Sequence, residues 1–395
     1  MKLMNVCGAR PNFMKIAPLM RAFGRRPAIQ PYLVHTGQHY DAAMNDRFFA
    51  ELRIPPPDCN LEVGSASHAM QTAAIMQRFE PVVQREQPDA VLVVGDVNST
   101  IACALVAVKL GVPVFHVEAG LRSFDRAMPE EINRVLTDAI SELLFVTEKS
   151  GVANLLREGV PRDRIHLVGN VMIDSLREHQ RLAAESRVLE QHRLAPRRYA
   201  VLTLHRPSNV DDGETLGRLI GVLERLDASQ PIVFPIHPRT RAALDRNGLA
   251  ERVARLEHVR LLDPLGYLDF LRLLSDASFV LTDSGGIQEE TTVLGVPCLT
   301  LRTNTERPVT IEQGTNQLVG VDPERILRAC AGLRHKAREP RTPELWDGQA
   351  AERIADVIAR WGQGRRNGPA HRSPVGAHRM GTPATTSTAA TQAGG

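Results

Sequence analysis

One glycine-rich turn followed by two carboxylates is the stretch of this sequence best suited to chemistry. An apolar run predicts a buried strand, and residues 283–286 (DSGG) then predict a tight turn that opens a helix. Such a start offers free N–H groups and the positive end of a helix dipole, which favour a phosphate. Glu289 and Glu290 follow, and either could accept hydrogen bonds from ribose hydroxyls. Alternatively, Asp283 or Ser284 simply caps the helix.

Charged side chains also follow the predicted strands of the first half. Arg10 and Lys15 come after the first strand, beside a helix start. These two cations could bind an anion, or they could equally be solvated in a surface loop. Asp96 follows a buried strand, where it could do chemistry or cap the next helix. Glu118 is flanked by apolar and small residues and is expected to be partly desolvated. Its structural alternative is an ion pair with Arg122.

One more carboxylate and two histidines complete the candidates. Glu130 lies in a helix opened by Pro129, where it suits the dipole or pairs with Arg134, a spacing worth about 0.2–0.5 kcal/mol. His205 and His237 follow the first two predicted strands of the second half. Imidazole titrates near neutrality and can transfer protons, although a histidine at a strand end can be purely structural.

Apolar runs that alternate with helical patterns must position these side chains. Such alternation predicts a parallel sheet covered on both faces, and it occurs twice. The expected fold class is therefore α/β, with two doubly wound, Rossmann-like domains that face a cleft and bind ligands at the carboxyl ends of their strands. The predicted strands are 2–7, 31–35, 90–94, 114–117, 143–146 and 165–168, then 200–204, 232–236, 259–262, 278–281 and 298–301. The predicted helices include 12–24, 42–52, 66–86, 100–110, 130–140, 150–158, 174–194 and 350–361.

The length of 395 residues indicates more than one domain. We predict an N-terminal domain at 1–170 and a C-terminal nucleotide-binding domain at 171–361, whose last helix, about 349–361, can pack back on the first domain. Residues 362–395 lack apolar periodicity and predict a disordered tail.

Composition argues against several classes of function. The net charge is +3 and aromatic residues make up 4%, so no nucleic-acid partner is expected. No apolar run approaches the roughly 18–20 residues of a membrane span, and no signal peptide is evident. Five scattered cysteines without a CxxC fit a reducing compartment, so we expect a cytoplasmic protein. The absence of GxGxxG, GxxxxGK[ST] and tight metal-ligand spacings predicts no cofactor and no metal.

Motifs in a fixed order identify a family. They are GARPNFMKIAPL, TGQHYD, GD-x-NST, HVEAGLRS, PEE-x-NR, HRP-x-N, PIHPRT, DSGG-x-QEE, TERP and GTNQLVG. With them the chain resembles the non-hydrolysing UDP-N-acetylglucosamine 2-epimerases of bacteria over about residues 1–360. The resemblance implies the two-domain GT-B fold and reversible conversion of UDP-N-acetylglucosamine into UDP-N-acetylmannosamine. It also implies no NAD, no essential metal and a homodimer.

The resemblance further implies roles for individual residues. Asp96, Glu118 and Glu130 would be the catalytic carboxylates, and His205 would face them. The implied substrate contacts are Arg10 and Lys15 near phosphates or sugar, Ser284, Gly285 and Gly286 at the diphosphate, Glu290 rather than Glu289 at the ribose, Arg307 at the diphosphate or sugar, and Phe270 at the uracil. The implied route eliminates UDP to give 2-acetamidoglucal and then adds UDP back.

Two motifs depart from the family pattern. Ser208 stands where members often have Glu in an HRxEN sequence. The loop at 38–41 reads QHYD, whereas members activated by their own substrate have a QHR-type loop. Allosteric activation is therefore left open.

Other functions were weighed against this prediction. They are a hydrolysing epimerase that releases N-acetylmannosamine and UDP, an epimerase of a 2,3-diacetamido UDP-uronic acid, a glycosyltransferase, and a non-catalytic nucleotide-sugar sensor. A sensor would not need Asp96, Glu118, Glu130 and His205 together. A glycosyltransferase would need an acceptor surface and would not need three carboxylates around the sugar.

Overall fold

Strands and helices alternate along the chain in a computed structural model that describes residues 1–38, 48–226, 230–333 and 341–367, with the side chains of Arg10, 366 and 367 left out. The strands are β1 (Lys2–Cys7), β2 (Gln30–His35), β3 (Cys59–Asn60), β4 (Ala90–Val94), β5 (Val114–Ala119), β6 (Leu143–Val146), β7 (Ile165–Leu167), β8 (Ala200–Thr203), β9 (Ile232–Pro235), β10 (Val259–Leu262), β11 (Phe279–Thr282), β12 (Cys298–Thr300) and β13 (Asn316–Leu318).

Helices cover both faces of the strands. They are α1 (Arg10–Gly24), α2 (His68–Glu86), α3 (Asn98–Lys109), α4 (Pro129–Ile140), α5 (Lys149–Arg157), α6 (Val171–Ala184), α7 (Val188–Gln191), α8 (Pro207–Val210), α9 (Gly213–Arg225), α10 (Pro238–Arg246), α11 (Ala250–Ala254), α12 (Tyr267–Asp276), α13 (Gly285–Leu294), α14 (Val309–Glu312), α15 (Pro323–Leu333) and α16 (Ala350–Asn367). In the described ranges, no helix combines the length and apolar character needed to cross a membrane.

Two parallel sheets result, and they confirm the predicted fold class. The first has the order β3-β2-β1-β4-β5-β6-β7, and the second has the order β10-β9-β8-β11-β12-β13. In both, the order of winding reverses beside the first strand of the series. Parallel sheets of this kind bind ligands beyond the carboxyl ends of their strands at that reversal. The site is therefore expected beyond β1, β4 and β5 on one side and β8 and β11 on the other.

Both faces of each sheet are buried, which explains why the strands are apolar throughout. Leu92 and Phe115 join one core of the first sheet, while Val91, Val93 and Val114 join a separate core on the opposite face. The side chains of neighbouring residues in a strand point to opposite faces, so an uninterrupted apolar run serves two layers of helices.

The last helix packs on the first sheet. Ile354 and Ile358 of α16 are fully buried in the core that contains α1. The rings of Trp361 and Phe115 meet edge to face, with centroids 4.9 Å apart. Asp174 of α6 accepts hydrogen bonds from the N–H groups of Ala350 and Ala351 at 3.1 and 2.7 Å, which caps the helix.

The chain passes between the two sheets twice, and the two passages touch. Gly169 has a φ of 89°, and a Cβ there would overlap the carbonyl group of Leu345, so only glycine fits. The guanidinium of Arg353 donates to the carbonyl of Val168 at 3.0 Å and to that of Leu345 at 3.4 Å. One side chain therefore joins both passages.

Some local predictions need correction, and others fall outside the described residues. β3 and β13 were not predicted. The helix expected over 174–194 is two helices, because Ser186 leaves the helical path, donates to Asp269 at 2.6 Å and accepts the N–H of Val188 at 3.2 Å. The last helix continues past Trp361 to Asn367. Residues 39–47, which include the QHYD loop and most of the expected 42–52 helix, and residues 368–395 of the expected tail lie outside the described ranges.

Candidate active site

Two of the predicted catalytic carboxylates lie where neighbouring strands end. Asp96 follows β4, and Glu118 lies in β5, which pairs with β4 in parallel. Glu118 is an extra residue in the pairing of β5 with β6, and its φ of 73° lies in the left-handed region. A non-glycine residue there costs on the order of 1–3 kcal/mol, and such bulges re-aim side chains beside active sites. The strain is therefore a structural reason to assign Glu118 a function.

A buried histidine fixes these two strand ends relative to each other. His116 Nε2 lies 2.8 Å from the carbonyl oxygen of Gly95, and Nδ1 lies 2.6 Å from Asp138. Asp138 also accepts the N–H of Gly120 at 2.9 Å. His116 therefore connects the residue before Asp96 to the turn after Glu118.

Asp96 is held by an arginine from α4. Arg134 pairs with Asp96 through Nη2 and with the buried Glu131 through Nη1, and Glu131 accepts the N–H groups of Ser123 and Phe124, both at 2.9 Å. Burial by itself would raise the pKa of Asp96, but Arg134 and Lys15 outweigh it and hold that pKa below its ordinary value. Asp96 is therefore ionised at neutral pH.

Glu118 joins the two sheets. One carboxylate oxygen pairs with Lys15 of α1, and the other lies 3.0 Å from Nη2 of Arg307, which follows β12. All three side chains are nearly inaccessible to solvent. The arrangement brings the predicted Lys15, Glu118 and Arg307 together in one buried cluster.

Arg307 contacts two further carboxylates on the second sheet's side. Its Nε lies 2.7 Å from Glu289 of α13, and its Nη1 lies 2.5 Å from Glu306. Burial raises the pKa of Glu289 to about 7. The pKa of Glu306 is instead held well below its usual range, because Arg307 and Arg302 outweigh its burial.

The predicted phosphate turn has the geometry of an anion site. α13 begins at Gly285, and its N-cap residue Ser284 makes no side-chain cap hydrogen bond, so the first N–H groups of the helix are not occupied by a cap. A Cβ on Gly285 would lie 2.5 Å from Nη1 of Arg307, and one on Gly286 would lie 3.0 Å from Met172. Because glycine at 285 has no Cβ, the guanidinium of Arg307 can lie close to the backbone of the turn.

Asp283 orients His205 and does not cap α13. Its carboxylate accepts the backbone N–H groups of His205 and Arg206 at 3.0 Å, and it lies 3.0 Å from Nδ1 of the His205 ring. His205 is half-buried, and with Nδ1 engaged, Nε2 is the nitrogen that can meet a ligand. The ring of His237 lies 5.9 Å away between centroids.

The two local ion pairs that were the structural alternatives for Glu118 and Glu130 do not form. Arg134 does not pair with Glu130, which instead lies 3.6 Å from Arg206 of the second domain. Arg122 does not pair with Glu118. Its guanidinium contacts Asp138 at 2.7 Å and Glu158 at 2.6 Å, because Glu118 is held instead by Lys15 and Arg307.

The remaining candidates are placed around this cluster. Glu290 is buried, and burial raises its pKa to about 8; its carboxylate lies 3.5 Å from the hydroxyl of Tyr267. Phe270 is half-buried on α12, and Ser208 is exposed on α8. Arg10 begins α1, but its side chain lies outside the described part of the chain.

Comparison with known proteins decides the family. Residues 21–359 match the family model described as UDP-N-acetylglucosamine 2-epimerase. The chain belongs to the UDP-N-acetylglucosamine 2-epimerase family. As a member of it, the protein is an isomerase.

Individual members of the 2-epimerase family are similar over nearly their whole length. The UDP-N-acetylglucosamine 2-epimerase of Methanocaldococcus jannaschii is 42% identical over 363 residues, which are 91% of this chain and 99% of the relative. The UDP-2,3-diacetamido-2,3-dideoxy-D-glucuronate 2-epimerase of Pseudomonas aeruginosa is 40% identical over 364 residues, 91% of this chain and all of the relative. The M. jannaschii enzyme in complex with UDP-GlcNAc and UDP has a TM-score of 0.86 over 91% of this chain and 100% of that one.

Several residues of the cluster in this 2-epimerase family member were not predicted from the sequence. Arg134, Asp138, Glu131 and Glu306 were absent from the candidates or were read only as local helix charges. One signal was available for Glu131, Arg134 and Glu306, because each lies in a motif of the family. No group of three or more His, Cys, Asp or Glu side chains in the described ranges is arranged to hold a metal ion.

Proposed function

We propose that the protein interconverts UDP-N-acetylglucosamine and UDP-N-acetylmannosamine without hydrolysing them. The family membership and the name of the M. jannaschii relative support this substrate. The observation that carries the reaction is the position of Glu118, which is held between Lys15 and Arg307 beside the start of α13. A carboxylate is thereby placed next to a site suited to a diphosphate.

The chemistry of the sugar dictates the route. The proton on C2 is not next to a carbonyl group, so its direct removal would give a carbanion without stabilisation. Elimination avoids this: the bond from C1 to the diphosphate oxygen breaks with its electron pair, while a base takes the C2 proton and a double bond forms. UDP then adds back to C1 as a proton arrives on the opposite face of C2. Atoms balance, and no redox partner is needed.

The residues of the cluster suit the two halves of this route. Lys15, Arg307 and the N–H groups at the start of α13 would stabilise the charge of the departing diphosphate. Asp96, Glu118 and Glu130 would supply proton-transfer groups, which must act on both faces of C2, and so one carboxylate is insufficient. His205, held by Asp283, would add a donor from the second domain.

Exclusion of water is required because the unsaturated intermediate must stay bound. Glu118 and Arg307 come from different sheets, and their buried contact brings the two sides of the cleft together. We infer that this contact helps to sequester the intermediate from water during the reaction.

The second candidate substrate is a 2,3-diacetamido UDP-uronic acid. It is favoured by the 40% identity to the P. aeruginosa enzyme that acts on such a sugar. This sugar carries a carboxylate at C5, which would need a cation that the N-acetylglucosamine substrate does not.

NMR of the protein with UDP-N-acetylglucosamine in D2O tests the proposal. We expect UDP-N-acetylmannosamine with deuterium at C2 and little free sugar. Free N-acetylmannosamine and UDP would show a hydrolysing enzyme instead. No turnover, together with turnover of the 2,3-diacetamido uronate, would select the second substrate.

We further propose that the protein is a cytoplasmic homodimer. Cys7, Cys59, Cys103 and Cys298 are free thiols, which suits a reducing compartment. Ile132 and Leu136 are 42% and 49% exposed on one face of α4, which supports a subunit contact there. Sedimentation equilibrium of the wild type and of Leu136→Lys tests this. Monomers in the wild type would contradict it.

A further inference from the structure

Three carboxylates share the single positive charge of Arg307. Glu289 approaches Nε at 2.7 Å, Glu306 approaches Nη1 at 2.5 Å, and Glu118 approaches Nη2 at 3.0 Å. The guanidinium and all three carboxylates are buried. One cation cannot compensate three buried anions, so the other partners of each carboxylate decide which one remains ionised.

Glu289 is the least compensated of the three. Glu306 also lies 2.9 Å from Arg302, and Glu118 also pairs with Lys15. Glu289 has Arg307 alone among its described ion pairs, and no other described residue donates a hydrogen bond to its carboxylate oxygens. Burial raises the pKa of Glu289 to about 7, so the group is ready to accept a proton near neutrality.

The partner of Glu289 also lies at the anion site. Nη1 of Arg307 would be 2.5 Å from a Cβ on Gly285, the first residue of α13. An anion bound to the start of α13 therefore meets the same guanidinium. Each negative charge that it brings reduces the compensation left for Glu289.

We propose that Glu289 takes up a proton from solvent when the diphosphate of a UDP-sugar binds at Arg307. The neutral acid then remains beside a guanidinium whose charge serves the diphosphate. Substrate affinity is thereby linked to pH through a residue that does not itself have to touch the sugar. The inference rests on the proposed function, since it takes a UDP-sugar as the ligand at this site.

Charged groups on each element that packs against Glu289 change how readily it takes up this proton. Glu118 and Glu290 favour the neutral acid, whereas Lys15 and Arg307 oppose it. Glu148 acts in the same direction as the other carboxylates, since the two groups raise each other's pKa. The groups that face Glu289 are Lys15 from α1, Glu118 from β5, Glu148 before α5, Glu290 on its own helix, and Glu306 and Arg307 after β12.

Because proton uptake is linked to binding, the affinity for the UDP-sugar should depend on pH in a definite direction. Well above pH 7, Glu289 is ionised in the free protein, and binding must then add a proton. The dissociation constant of the UDP-sugar should rise by up to about tenfold per pH unit in that range, and it should level off below it. A Gln at this position mimics the neutral acid and should remove the dependence.

Isothermal titration with UDP-N-acetylglucosamine measures this uptake. Near pH 8, in two buffers of different ionisation enthalpy, we expect about one proton taken up by the wild type and none by Glu289→Gln. The sugar diphosphate is the probe because UDP itself titrates near neutrality. Glu148→Gln is the matched control, since burial raises the pKa of Glu148 to about 7 as well. Its carboxylate accepts a hydrogen bond from Ser150 at 2.5 Å, and it feels the charge of Arg307 without an ion pair to it among the described residues. The Glu148→Gln variant should keep the uptake.

The outcomes separate this inference from the function. Binding of the UDP-sugar by the wild type without proton uptake would overturn the role of Glu289 and leave the function standing. Uptake that persists in Glu289→Gln, or that disappears in Glu148→Gln, would also overturn it. No binding by the folded wild type would overturn the proposed function and this inference together. If Glu289→Gln does not fold, the pH dependence of the wild-type dissociation constant decides, and a flat profile contradicts the proposal.

Discussion

Glu118 Oε1 and Arg307 Nη2 lie 3.0 Å apart although they come from different sheets. Each also holds partners on its own side, Lys15 for Glu118 and Glu306 for Arg307. The contact therefore joins the carboxylate that we propose for proton transfer in one domain to the guanidinium that we propose for diphosphate binding in the other. A substrate in the cleft would have its reacting C1 and C2 atoms near this junction.

Removal of charge at the two strand-end carboxylates should stop turnover and leave UDP binding. We expect Asp96→Asn and Glu118→Gln each to lower kcat by about 10²–10⁴-fold, the usual range for loss of acid–base catalysis. The NMR assay measures turnover, and titration with UDP measures binding. The control is Glu224→Gln, a surface pair with Arg252. Unchanged turnover in both variants would discard the site.

Arg134 should act on the reaction through Asp96. Lys at 134 can reach only one of its two carboxylates, so Arg134→Lys should lower kcat by about 100-fold through misplacement, with little change in KM. Arg134 keeps the pKa of Asp96 low by its charge and by its hydrogen bond, so a lysine that keeps the charge but turns to Glu131 raises that pKa by the lost hydrogen bond. The acid limb of the pH profile of kcat/KM should therefore move to higher pH.

Arg252→Lys, on the surface, provides the comparison for this variant. A fall in kcat with an unmoved acid limb would contradict the link to Asp96 and would indicate a structural effect alone.

Asp283→Asn should change the tautomer of His205 while the fold is kept. The Asn oxygen can still accept the backbone N–H of Arg206, but its NH2 group no longer offers an acceptor to Nδ1 of the ring. We expect kcat to fall by about 100-fold with unchanged UDP affinity. Imidazole ¹⁵N shifts report the tautomer directly, and wild-type shifts in the variant would refute this role.

Glu148→Gln should stabilise the protein at alkaline pH. The pKa of Glu148 is raised by burial to about 7, so the folded state holds its proton more tightly than the unfolded chain does. The free energy of unfolding of the wild type therefore falls as pH rises from about 4.5 to about 7, and the Gln variant lacks this loss. Near pH 8 we expect a Tm higher by on the order of 2 °C or more, and near pH 5 little difference.

Scanning calorimetry at both pH values measures that difference. Glu142→Gln is the control, since Glu142 is largely exposed and lies 3.8 Å from Arg164. A Tm difference that is the same at both pH values would show that burial of Glu148 is not its cause.

Buried strands were predictable because their pattern is local. The apolar runs at 90–94, 143–146 and 259–262 match β4, β6 and β10 to the residue. β3 (Cys-Asn) and β13 (Asn-Gln-Leu) are short and mostly polar, so no apolar run marks them in the sequence. The break between α6 and α7 depends on the distant Asp269, which no local pattern reveals.

Partners within the site were predictable only in part. Residue types and strand ends brought Lys15, Glu118 and Arg307 to one region, but spacing suggested the wrong ion pairs. Arg134 at i,i+4 from Glu130 looked like a helix pair, whereas Asp96 from a neighbouring strand competes for it at closer range. The spacing of residues along a helix does not reveal an ion-pair partner that lies far away in the sequence.

Arg353 joins the two segments of the chain that connect the sheets. This contact restricts how the two domains can move relative to each other. Two domains connected by two adjacent segments rotate about a hinge axis that passes through those segments. Sliding or twisting of one sheet against the other would separate Gly169 from Leu345. We therefore expect the cleft to open by rotation about this line, so that each residue of the cleft moves away from its partner in proportion to its distance from the line.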